Sequence, residues 1–202
     1  MSAKNIQFTK IEVQIAKYLF KHYKEKYNVR ELARTLNINH AHTNKLCNNL
    51  TKKNLLVKEE FSNSNHFSYN YKDNLALKFI EYILSLEEKE FPEWLTVLLH
   101  ELQKFKPHIQ LGLVFGSSIK NKDFNDIDVL LAYDKKESGK IKKIKEDIRK
   151  SELMEKPIRY IDISEKDILA NKEDKVFYKI LTSSLIFHNP EKYVEVIKKC
   201  HE

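Results

Sequence analysis

The residues of this 202-residue chain best suited to chemistry are a pair of carboxylates and a Gly-Ser-Ser turn. Asp126 and Asp128 stand at i and i+2 where an apolar run, Ile127–Ala132, begins. A strand repeats every two residues, so both carboxylates fall on one face, roughly 7 Å apart along the chain. That spacing suits an oxygen-seeking cation such as Mg²⁺ or Mn²⁺. Gly116 closes the preceding apolar run, Leu111–Phe115, at a point where backbone must come close to something. Ser117 and Ser118 then offer hydroxyls and backbone N–H groups, expected at a helix N-terminus, where anions are favoured. A phosphate cradle beside a divalent-metal dyad is the apparatus of phosphoryl or nucleotidyl transfer. The competing reading is a structural turn with two exposed aspartates, since Asn-Asp before a strand is common turn chemistry.

The elements that must position these residues can be read from periodicity. Leu111–Phe115 and Ile127–Ala132 have the length and β-branched content of buried strands. Residues 157–164, PIRYIDIS, read as a further strand in which Asp162 points away from Ile161 and Ile163. A lone carboxylate there is costly to bury unpaired. Helices are expected over residues 73–88, 92–105, 135–155, 176–181 and 190–200, with a short strand at 183–187. Trp94 reads as packing. The lysines at 140, 142, 143 and 145 read as a solvated face, with phosphate or RNA contact as the minority alternative.

The first third of the chain has a different character. Residues 1–72 hold 13 Lys+Arg against 5 Asp+Glu, a balance of +8, while the remainder holds 23 against 24. Such asymmetry points to a nucleic-acid face in the first part, with Lys-rich solvation as the plainer explanation. A helical stripe runs over residues 10–23. Asn28 with Glu31 has the form of a capping box for a helix Val29–Leu36. A turn at residues 37–39 leads to a third helix over 40–53, whose inward positions are Thr43, Cys47 and Leu50. Two alternating runs, 55–61 and 66–71, flank the turn-rich Ser62-Asn63-Ser64-Asn65. The four His residues before position 72 lack partners at ligand spacing for a zinc site.

The order helix, helix, turn, helix, hairpin resembles a winged helix-turn-helix, carried by VRELARTLNINHAHTNKLCNNLTKKNLL over residues 29–56. The resemblance implies a recognition helix whose outward residues are His40, His42, Asn44, Lys45, Asn48 and Lys52. Asn reads adenine edges and Lys pairs with phosphate or guanine. A winged helix used for protein contact is the alternative.

Phe115-Gly116-Ser117, a spacer, then Asp126-Ile127-Asp128 resembles the signature of the DNA polymerase β-like nucleotidyltransferases, in particular the minimal members of prokaryotes. The resemblance implies an α+β chain with a winged helix-turn-helix at 1–72 and a nucleotidyltransferase-like domain at 73–202. It implies catalytic, metal-holding Asp126, Asp128 and Asp162, the last as the third carboxylate on a neighbouring strand. It also implies an NTP, ATP foremost, held by Gly116, Ser117 and Ser118. The spacer carries Lys120 and Lys122 where the family usually has an Arg-Gly pair. These lysines are taken as the phosphate cations. The acceptor hydroxyl could belong to a protein such as a partner toxin, to RNA or to a small molecule. A DNA-binding regulator with an inactive, nucleotide-sensing second half is the alternative function.

Nothing in the sequence approaches the apolar run needed to span a bilayer, and the N-terminus lacks a signal-peptide core. Cys47 and Cys200 read as reduced thiols of a cytoplasmic protein.

Overall fold

The structure, a computed structural model, describes residues 7–61, 63–151, 153 and 155–202. It is an α+β chain with two sheets, and its contacts divide it into two units. The first comprises Met1–Ile83 with His201; the second comprises Leu84–Cys200 with Glu202. No helix among the described residues is long and apolar enough to cross a membrane.

The first unit opens with α1 (Lys10–Lys21). Thr9 and Glu12 form a reciprocal capping box there, each satisfying the other's free backbone donor. Glu12 is buried, which pushes its carboxyl up, but the Thr9 N–H and the Lys53 ammonium at 3.0 Å outweigh this and hold it below the usual range. A two-residue strand β1 (Tyr27–Asn28) leads into α2 (Val29–Leu36), capped by Asn28 and Glu31 in the same reciprocal way. Asn37, in the left-handed region at φ 53°, ends α2, and Asn39 caps α3 (His40–Lys52). Leu32, Leu46, Cys47 and Leu50 join Ile15, Leu19 and Phe20 in the core. Strands β2 (Leu56–Phe61) and β3 (Ser64–Tyr69) pair antiparallel, with Phe61 opposite Ser64, and β1 adds to the far edge of β3. The expected turn 62–65 is therefore shorter, with Asn63 at φ 59° (Ser62 lies outside the described residues). α4 (Asn74–Ser85) follows.

The second unit is built on a four-stranded sheet in the order β6-β5-β4-β7. Its strands are β4 (Leu111–Phe115), β5 (Ile127–Ala132), β6 (Ile158–Ile163) and β7 (Leu185–His188). β4 runs antiparallel to β5 and β7, and β5 runs parallel to β6. The expected helix 92–105 is shorter, α5 (Thr96–Leu102), flanked by 3-10 turns, the second of which contains Pro107. The expected helix 135–155 is α6 (Ser138–Lys150), entered through a 3-10 turn, and Glu152 and Met154 lie outside the described residues. α7 (Glu165–Ala170), α8 (Lys175–Thr182) and α9 (Pro190–His201) complete the chain. One face of the sheet buries Val114, Ile127, Val129 and Leu131 against Leu98 and Leu102 of α5 and Ile141 and Ile148 of α6. Burial of each such side chain stabilises by about 1.5–3 kcal/mol before entropy is counted.

Candidate active site

Asp126 and Asp128 lie at the start of β5, beside the end of β4, because the antiparallel register sets Asp128 opposite Phe115. Gly116 follows at φ 88°, a conformation open to glycine and strained for other residues. A Cβ built on it would fall 2.4 Å from Oδ2 of Asp128. The Asp128 carboxylate thus rests on the Gly116 backbone, and the Gly-Ser turn and the dyad share one place. The spacer between them is pinned by Ile119 and Phe124, which pack on the core.

The carboxyl of Asp128 lies above the usual range. Burial is the largest cause, repulsion from Asp126 adds to it, and Arg159 partly offsets both. Arg159 is the register partner of Asp128 on β6, and its Nη2 sits 2.9 Å from Oδ2 of Asp126. Its side chain is 72% exposed, so it can leave that position without unpacking anything.

The structure does not bring Asp162 to the dyad, which corrects the reading of it as third carboxylate. Its register partner on β5 is Leu131, three residues beyond Asp128, or about 10 Å along the strand. Alternation also puts Leu131 and Asp162 on the opposite face from Asp128 and Arg159. There Asp162 accepts from Nζ of Lys145 on α6 at 2.6 Å. The place beside the dyad belongs to a cation, Arg159.

Two further expectations change. No helix begins at Ser117: residues 117–120 make a single turn, in which the Lys120 N–H donates to the Ser117 carbonyl. A helix dipole is therefore not part of the site. Ser118 is buried, its hydroxyl turned back toward the Phe115 carbonyl and its own carbonyl accepting from Nε1 of Trp94 at 2.8 Å. Its hydroxyl does not face the dyad's surroundings, whereas Ser117 is exposed. Trp94, which periodicity assigns to packing, braces the turn through its indole N–H. Lys120 and Lys122 are exposed on the spacer. In the first unit His40, His42, Asn44, Lys45 and Lys52 are exposed on α3, and Asn48 is half-buried, donating to the Asn44 carbonyl.

Family models, curated proteins and solved structures give no match to this chain.

Among the described residues no group of three or more His, Cys, Asp or Glu is arranged to hold a metal ion. Two carboxylates therefore do not fit the two resident ions that the resemblance implies. They do fit one Mg²⁺ that arrives already carrying phosphate oxygens, since such ions use one or two carboxylates and complete their shell with phosphate and water. Asp128, raised by burial and then by the charge of Asp126, gains from a cation there.

Proposed function

We propose that the second unit binds a magnesium–nucleoside triphosphate, ATP foremost, and transfers its nucleotidyl group to a hydroxyl acceptor. The observation that carries this reading is the contact of the Asp128 carboxylate with Gly116, which joins the Gly-Ser turn to a pair of repelling carboxylates. In this reading Asp126 and Asp128 take up the ion of the incoming complex. The ion's chemistry is neutralisation of charge on the phosphates. Ser117, with the backbone N–H groups of the turn, orients the phosphate chain, and Lys120 and Lys122 supply mobile positive charge to it. The acceptor oxygen bonds to the α-phosphorus, the α–β bridging bond breaks, pyrophosphate leaves and the hydroxyl proton passes to water. Catalysis consists of placement and charge complementarity.

The ion pair of Arg159 with Asp126 favours a second reading. A cation stands where a hydroxyl-activating carboxylate would be needed, which suits a domain that binds the nucleotide and stops there. The first unit would then act as a nucleic-acid-binding winged helix governed by nucleotide. Its exposed Asn44, Lys45 and Lys52 and the +8 balance of residues 1–72 support that role.

One experiment separates the readings. The full chain, Mg²⁺ and α-³²P-labelled ATP are incubated with a lysate of the native host, and labelled protein, RNA and small molecules are resolved. Transfer of label that is lost in Asp128→Asn supports the enzyme. Thermal stabilisation by Mg·ATP without transfer supports the sensor. Neither transfer nor a magnesium-dependent shift would overturn both.

A further inference from the structure

The far side of β6 carries a second feature that the dyad does not use. Between α6 and β6 lies a cavity of about 430 Å³, within the size range of small-molecule sites. Ile148, Ile158, Pro157 and the ring of Tyr160 form its apolar wall. Four cations line it, Lys142, Lys145, Arg149 and Lys156, against two carboxylates, Glu146 and Glu155. Lys145 is already committed: Asp162 holds its ammonium, which also lies 4.5 Å from the Tyr160 ring centroid. Lys142, Arg149 and Lys156 make no ion pair among the described residues. Lys142 and Arg149 are two turns apart on α6, about 10 Å along the axis, and Lys156 approaches from the chain leading into β6.

The Asp162 carboxylate fixes Lys145 as part of the wall, while the other three cations have no ion-pair partner among the described residues. Ile158 and Tyr160 face the cavity while Arg159, between them, faces the dyad.

We propose that this cavity is a second ligand site, distinct from the dyad, for a small phosphorylated molecule that carries a ring. The ring lies against Pro157 and Ile158, beside Tyr160 whose face Lys145 covers, and the phosphate is held by Lys142 and Arg149, with Lys156 closing from the other side. An aromatic or heterocyclic ring suits a wall made of a proline, an isoleucine and a tyrosine. Arg149 offers the phosphate a two-pronged donor, and the lysines add point charge. The proposal does not rest on nucleotidyl transfer.

Adenosine 5′-monophosphate serves as the probe, titrated into the full chain in EDTA by calorimetry. Adenosine and inorganic phosphate serve as controls. The nucleotide should bind, and each control should bind at least about tenfold more weakly, because each supplies half of the contacts. Lys142→Ala with Arg149→Ala should weaken the nucleotide about tenfold or more. Both residues are exposed, so the melting temperature of that variant should match the wild type. Asp128→Asn should leave the affinity unchanged. No binding at millimolar nucleotide would overturn the proposal. So would binding equalled by phosphate alone, or binding lost in Asp128→Asn and kept in the double variant. Binding in EDTA with no effect of Mg·ATP would sink the nucleotidyl reading and leave this one standing.

Discussion

The candidate residues of the two units relate to their folds in opposite ways. On α3, Asn44, Lys45 and Lys52 project from a helix whose stability comes from elsewhere: the Asn39 cap and the buried Thr43, Leu46, Cys47 and Leu50. Nothing folds because of them. At the dyad, Gly116 stands in a conformation that only glycine takes without strain, Asp128 is pushed up by burial and by Asp126, and Arg159 is drawn in to compensate. The first unit's helix ends follow local rules, with reciprocal caps on α1 and α2 and left-handed Asn37. The dyad departs from them by holding two like charges side by side at the half-buried start of a strand. Departures of that kind gather at functional sites, because a binding site must hold charges and contours that folding alone would avoid. Substitution should therefore move stability at the dyad and leave it unmoved on α3.

Gly116→Ala should break the comparison most visibly. The new methyl meets Oδ2 of Asp128 at 2.4 Å and the backbone is held at φ 88°. The second unit should lose about 2 kcal/mol or more. In a chain of this size that is about 4–8 °C in melting temperature. Any response to Mg·ATP should vanish with it. Adding Asp128→Ala to Gly116→Ala should recover part of the loss, because it removes the clash and leaves only the backbone strain. Calorimetry showing no loss in the single variant would mean that the carboxylate does not rest on this turn.

Asp128→Asn should act in the other direction and more weakly. A carboxyl raised in the folded protein binds its proton more tightly there than in the unfolded chain. Its contribution is therefore unfavourable above the folded value and is relieved as pH falls through that value to the unfolded one. The amide removes the charge and with it the repulsion from Asp126. In EDTA at neutral pH the variant should melt about 1–3 °C higher than the wild type, and the difference should shrink at acid pH. In Mg·ATP the order should reverse, since the wild type alone gains from the ion. A variant that melts lower in EDTA at neutral pH would show that Asp128 is held by favourable contacts, and the idea of a site charged against its own fold would go.

Local sequence carried some of this and withheld the rest. The Asn28–Glu31 box, the strand pair and Gly116 before a carboxylate dyad could all be read, because caps, alternation and left-handed positions are local events. The alternation in IRYIDI also puts Ile158, Tyr160 and Asp162 on one face. The other face, Arg159, Ile161 and Ile163, is just as apolar, so alternation alone does not say which face packs on a helix and takes Asp162 with it. What alternation could not supply was the register, which sets Asp128 beside Arg159 and comes from how two distant segments meet. Trp94 was hidden for a similar reason. Its hydrogen bond to the Ser118 carbonyl spans 24 positions, and apolar periodicity gives no sign of it.

The smallest effect on stability belongs to α3, and it sharpens the comparison best because the binding effect should be large. Lys45→Ala with Lys52→Ala removes two exposed side chains that make no ion pair among the described residues. Folding should change by less than about 0.5 kcal/mol. If this helix meets nucleic acid, each lysine displaces a counterion from phosphate, so affinity falls steeply with salt. The double variant should lower the slope of log affinity against log salt by about two, on any duplex sequence. Asn44→Ala, in contrast, should leave the slope alone and reduce the preference among sequences, since an amide reads base edges. Fluorescence anisotropy from 50 to 300 mM salt would measure both. A wild-type chain with no salt slope would reassign α3 to protein contact. A slope that survives the double variant would move the phosphate contacts off this helix, to other basic residues of the unit such as Arg30 and Arg34, which are exposed on α2.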